Sequence, residues 1–188
     1  MERKTVAARA GHPARAGFPA ALLLGLAPFG AFVLLLGLSM SMALWVAFAA
    51  AFTLGLQAFL ETGKIRPFDA TSTILFGLGA LGAGFIPGNV PAAAVRLAVE
   101  GVLLAAMLLA FLRGAPFTRQ YAPDDGRPQR HILFSAAWAL ALALMAVLDA
   151  AALYAGLPEA ISAVLGLVAL AGALTFTLRY PAIAGGTH

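Results

Sequence analysis

The sequence predicts an all-α membrane protein of six transmembrane helices, arranged as three antiparallel hairpins with both termini in the cytoplasm. Three observations predict it. The 188 residues are 62% hydrophobic and only 11% charged, with a mean hydropathy of +0.92. Six long runs are almost free of charge. The basic residues lie on one side of the resulting topology. A soluble domain is about half apolar and about a quarter charged. A water-soluble core of this size would leave too much apolar surface uncovered, so lipid must be the solvent for most of the chain.

The runs place spans over residues 18–38, 42–60, 69–86, 92–112, 132–153 and 160–178. Residues 1–17 form a basic N-terminal tail and 180–188 a C-terminal tail, with the six-helix domain over 18–179. Three connections, 39–41, 87–91 and 154–159, are very short and force antiparallel hairpins. Arg3, Lys4, Arg9 and Arg15 precede the first span. Lys64 and Arg66 follow the second, Arg113, Arg119, Arg127 and Arg130 follow the fourth, and Arg179 follows the sixth. The short loops on the other side contain no Lys or Arg. By the positive-inside rule the charged side is cytoplasmic, which places the chain in a bacterial inner membrane. A cleaved signal peptide is the rival for the first span. A usual apolar core of such a peptide is about 7–15 residues, and the uncharged run from Ala20 to Leu38 is longer, so an uncleaved span is expected.

The excess of basic residues is explained by topology, and no nucleic-acid partner is expected. There is no cysteine, which excludes disulfides and thiol catalysis. Gly77, Gly79 and Gly82 spell GxGxxG, but within a span and without the strand-turn-helix context that dinucleotide binding needs. Close helix packing is the expected role of these glycines and of Gly84. His12, His131 and His188 show no metal-ligand spacing, so neither a metal nor another cofactor is expected. Asp69 opens the third span with Thr71, Ser72 and Thr73 behind it, where a carboxylate accepts orphan backbone N–H bonds. In the loop 113–131, Asp124-Asp125-Gly126 is a turn signature.

Arg96, Glu100 and Asp149 are the ionisable groups at membrane depth, and such a group is by default a functional hypothesis with a partner. Arg96 and Glu100 are four apart and share a face. At about 1.5 Å rise per residue, Arg96 and Asp149 both lie roughly 6 Å inside the outer boundary, and Glu100 lies roughly 12 Å inside. An Arg96–Asp149 ion pair is expected, with Arg96 also able to turn toward Glu100, since a guanidinium carries five donors. Helical spacing places Trp138, Ser135 and His131 on the Asp149 face. Thr53 and Gln57 make a further polar pair on the second span. Together these residues suggest a polar interior seam. One reading is structural, with the charges fixing helix register. The other is functional, with Glu100 taking up or passing on a proton.

The stretch Pro116-Phe-Thr-Arg-Gln-Tyr-Ala122 resembles the Pro-Phe-Thr-x-Gln-Tyr-Ala segment of uncharacterised bacterial integral membrane proteins. The layout of spans and basic loops is similar to that of the intracellular septation protein A family. The resemblance covers nearly the whole chain in layout and one short segment in motif. It implies an envelope role through interaction with other membrane proteins, with no catalytic residues to carry over. Arg66-Pro67, Arg113-Gly-Ala-Pro116 and Arg179-Tyr-Pro181 repeat a basic residue followed by proline. Ile74-Leu-Phe76 and Ile132-Leu-Phe134 suggest a repeated hairpin unit.

The leading expectation is a non-enzymatic inner-membrane protein that acts through helix–helix contacts with other membrane proteins or a second copy of itself. The alternative is a small proton-coupled transporter or channel-like protein using Arg96, Glu100 and Asp149. No nucleophile–base set converges for an embedded enzyme. The first reading expects dry packing around a satisfied Arg96, and the second an aqueous path to Glu100.

Overall fold

A computed structural model describes residues 18–85, 90–121 and 128–184, and the side chains within 20–85, 90–121 and 129–180. His12, His188, the basic residues of the N-terminal tail, Arg127 and the Asp124-Asp125-Gly126 turn lie outside them. The described residues are helical throughout, without a strand: α1 Phe18–Leu36, α2 Met40–Thr62, α3 Pro67–Gly82, α4 Ala92–Leu112, a 3-10 helix Phe117–Tyr121, α5 Pro128–Tyr154 and α6 Glu159–Ala184.

Four of these helices are long and apolar enough to cross a membrane: α2, α4, and the stretches Gln129–Tyr154 of α5 and Glu159–Tyr180 of α6. The other two are shorter than the sequence suggests. The 16 residues of α3 span about 24 Å at 1.5 Å per residue, less than a hydrocarbon core of about 30 Å. Its start also corrects the cap expected at Asp69. Arg66 is the N-cap residue, with no side-chain cap bond, and Pro67 occupies the first turn, where its fixed φ and missing N–H suit a helix start. Asp69 lies within the first turn, two residues after Pro67.

Helix ends follow local chemistry. The Ser39 hydroxyl accepts from the Met42 N–H at 3.4 Å and caps α2. Gly63 takes φ 66° and closes the same helix with its N–H on the Phe59 carbonyl at 2.7 Å.

Successive helices pack pairwise, except that α3 and α4 meet only lightly. The core runs along α1. Leu22, Leu26, Phe29, Phe32 and Leu36 recur every three or four residues and are all buried, one stripe of an α-helix. They pack with Ala43, Ala47 and Ala51 of α2, with Val99, Leu103 and Met107 of α4, and with Trp138, Leu142 and Met145 of α5. Small residues on α2 let its backbone come close to α1, which matters where lipid removes the hydrophobic drive between helices. The glycines of α3 and of the turn that follows it divide. A β-carbon on Gly77 would lie 3.1 Å from Phe48, and one on Gly79 3.0 Å from Leu44, whereas Gly82 and Gly84 face open space.

Candidate functional site: a buried ion pair and an unpaired carboxyl

Arg96 projects from the first turns of α4, Asp149 from the last turns of α5 and Ser162 from the first turn of α6. The short α5–α6 connection brings the last two together. Arg96 Nε donates to Asp149 Oδ2 at 2.9 Å, and Nη2 donates to Oδ1 at 2.7 Å. This is the two-pronged geometry that a guanidinium forms with a carboxylate. Nη2 also donates to the Ser162 hydroxyl at 3.0 Å, and that hydroxyl donates on to Asp149 Oδ1 at 2.9 Å. Arg96 is 7% exposed and Asp149 2%. The guanidinium therefore stays inside the bundle and does not extend toward the boundary.

Glu100 lies one turn further along α4, on the same buried face. It is 0% exposed, and neither carboxyl oxygen has a hydrogen-bond partner. Arg96 does not turn to it. A cavity of about 10 Å³ between α1, α4, α5 and α6 is lined by Arg96, Glu100, Asp149, Ser162, Val33 and Met145 among others. It has room for one water at most. The site therefore holds two buried carboxyl groups beside one guanidinium, and the guanidinium is bonded to only one of them.

The wider polar face expected on α5 exists, but it serves other partners. Trp138 lies eleven residues before Asp149, about 16 Å along the axis, and its Nε1–H donates to the Thr177 hydroxyl at 3.0 Å. Ser135 pairs with the Thr118 hydroxyl at 2.9 Å. His131 is buried, and its backbone carbonyl accepts from Thr118 Oγ1 at 2.9 Å. Thr53 and Gln57 are not interior at all. Both are exposed on α2, and Gln57 donates to Glu61 at 3.0 Å on its own helix. Equal azimuth and a polar side chain establish neither depth nor partner.

A second polar cluster occupies the opposite end of the bundle, and sequence reasoning missed it. Gly114 at φ 68° reverses the chain after α4, and the 3-10 helix returns into the bundle with Phe117, Thr118 and Tyr121 buried. The Tyr121 hydroxyl donates to Asp69 Oδ1 at 2.5 Å. Arg66 approaches the same carboxylate at 3.8 Å, and its guanidinium lies 5.1 Å from the Tyr121 ring centre, within cation–π range. The Phe68 N–H, one of the orphan donors of α3, is taken by Gln120 Oε1 at 3.1 Å. Gly25 of α1 lies under the ring, where a β-carbon would come within 2.5 Å of Tyr121 atoms. Burial, then the Asp69 charge, pushes the Tyr121 phenol above its ordinary value of 10.0, so it remains the donor. The signal was present: Phe117, Thr118, Gln120 and Tyr121 all lie in the one loop segment, 116–122, that combines aromatic and polar side chains.

Comparison with known proteins finds no matching family model, no matching curated protein and no matching solved structure. Among the described residues the chain is an all-helical bundle with four helices able to cross a membrane and a cluster of buried polar side chains toward each end.

Proposed function

We propose that this chain is a non-enzymatic protein of the bacterial inner membrane, with both termini in the cytoplasm, that acts through helix–helix contacts with other membrane proteins of the envelope. The observation that carries this reading is the outward face of α4. Ala98, Gly101 and Ala105 recur at helical spacing and are exposed, while Arg96, Val99, Glu100, Leu103 and Met107 are buried. A β-carbon on Gly101 would meet nothing within 4 Å. A small-residue stripe on an outward face is the surface that another helix packs against closely in lipid. The interior charges support the same reading. Arg96 and Asp149 are bonded to each other and Glu100 is buried, so the charges face the bundle interior.

The chain has no cysteine, so Gly101→Cys can be cross-linked in native membranes without background. A specific adduct is expected at this position and not at Val147→Cys, which is 64% exposed on α5. Gly101→Leu is expected to remove the contact in a pull-down. Equal cross-linking at both positions, or none at Gly101→Cys, would overturn the reading.

One observation favours a second reading, a small proton-coupled transporter: the fully buried Glu100 carboxyl, whose oxygens have no hydrogen-bond partner. A carboxyl so placed is a group that takes up or passes on a proton. Proton flux in proteoliposomes that vanishes in Glu100→Gln would support it, and flux that is absent or unchanged would remove it.

A further inference from the structure

The light contact between α3 and α4 leaves a groove of about 330 Å³ at the bundle end that carries the 3-10 helix. Its walls are Phe68 and Thr71 of α3 and Ala106, Leu109 and Ala110 of α4, and Arg113 and Arg119 line it as well. From Ala106 to Arg113 the groove follows α4 for about 10 Å. It is therefore apolar along one helix wall and cationic where that helix ends. Ala106 and Ala110 are one turn apart, and their small side chains make the trough.

We infer that this groove binds one anionic phospholipid, with its phosphate between Arg113 and Arg119 and the first part of an acyl chain along Ala106 and Ala110. Charge complementarity selects the headgroup. Guanidinium groups match phosphate oxygens in a two-pronged geometry, and both arginines are exposed. The apolar trough selects a lipid over a soluble phosphate, because a free anion would leave the alanine and phenylalanine wall uncovered. The site differs from the diffuse attraction of basic loops for an anionic leaflet, because it adds a shaped apolar wall to the charge. It rests on neither functional reading given above.

Native mass spectrometry of the full chain, released from vesicles of equal parts phosphatidylglycerol and phosphatidylethanolamine, tests this. One retained phosphatidylglycerol per chain is expected. The double variant Arg113→Gln/Arg119→Gln is expected to reduce retention about tenfold or more, at about one decade or a little less per lost charge. Ala110→Phe, which keeps both charges and fills the trough, is expected to reduce it as much. Arg179→Gln, an exposed arginine of α6 outside the groove, is expected to retain the lipid. Circular dichroism and an unchanged elution volume establish that each variant is folded. Should Ala110→Phe fail that control, Ala106→Leu replaces it. Equal retention of the two lipids, retention by the filled-groove variant, or equal loss in Arg179→Gln would each overturn the inference.

Discussion

Two polar clusters are buried at opposite ends of the bundle, and they are built on different principles. The Arg96–Asp149–Ser162 cluster joins α4, α5 and α6 with full charges, and places Glu100 beside them with no bond. The Asp69–Tyr121 cluster joins α3 to the 3-10 helix, over Gly25 of α1. It uses two opposite charges, Asp69 and Arg66, with a phenol and an amide, each with a partner. The first cluster leaves a buried carboxyl without a hydrogen bond, while the second keeps Arg66 and Gln120 partly open to solvent. Every group of the second cluster has a partner, so that cluster is a latch, whereas the first leaves one carboxyl over.

The largest effect expected is at Arg96. Arg96→Met leaves Asp149 and Glu100 facing each other without a cation, and should destabilise the bundle by about 3–5 kcal/mol, the usual loss on breaking a buried pair. The double variant Arg96→Met/Asp149→Leu should recover most of that. Thermal unfolding in detergent measures both, and a loss below about 1 kcal/mol in the single variant would show that the pair does not hold the helices together.

The next effect belongs to the latch. Gly25→Ala drives a β-carbon into the pinned Tyr121 ring and should cost about 1–3 kcal/mol, as overpacking does. The cost should fall when combined with Tyr121→Ala, which removes the clash. An additive pair would mean that Gly25 matters for another reason.

Tyr121→Phe alone leaves Asp69 short of one donor and should cost about 1–2 kcal/mol. Its pH dependence sharpens the assignment. The folded phenol titrates above its ordinary 10.0, so the wild-type latch is fully present below about pH 10 and loosens only as pH rises beyond it. The difference between wild type and Tyr121→Phe should therefore be flat from neutral pH to about pH 9 and shrink above pH 10 in a melting series.

The smallest effect is expected at Glu100. Glu100→Gln removes no hydrogen bond, since none is formed, and should change stability by less than about 1 kcal/mol. A large loss would mean that Glu100 shares in neutralising Arg96, and would merge the site and the pair into one structural unit.

Much of this architecture was legible in the sequence because it depends on one-dimensional quantities. Hydropathy and length mark α2, α4, α5 and α6 as apolar rods. Rise per residue puts Arg96 and Asp149 at one depth, and a pair at one depth on adjacent antiparallel helices is two-dimensional knowledge reached from one dimension. The same arithmetic placed Glu100 a turn deeper. It could not say that Ser162 would join Arg96 and Asp149, because the partner from α6 depends on how the α5–α6 connection folds. Nor could it separate Trp138 and Ser135 from Asp149, since sharing a helix face says nothing of the helix opposite. Thr53 and Gln57 failed for a related reason: polarity suggests an interior in lipid, yet the exposed side of α2 bears them, and Gln57 is satisfied within its own helix.

By itself, then, the sequence determined an all-helical chain, the apolar helices and the two residues that must neutralise each other, because burying an unpaired charge in lipid is too costly to leave uncompensated. Only the tertiary structure decided that the loop after α4 turns back into the bundle and that Asp69 meets Tyr121 rather than capping α3. It also decided that Glu100 is left alone beside a completed ion pair. Those outcomes depend on the order in which six similar rods pack, and small-residue contacts such as Gly25 against Tyr121 set that order at distances no hydropathy pattern encodes.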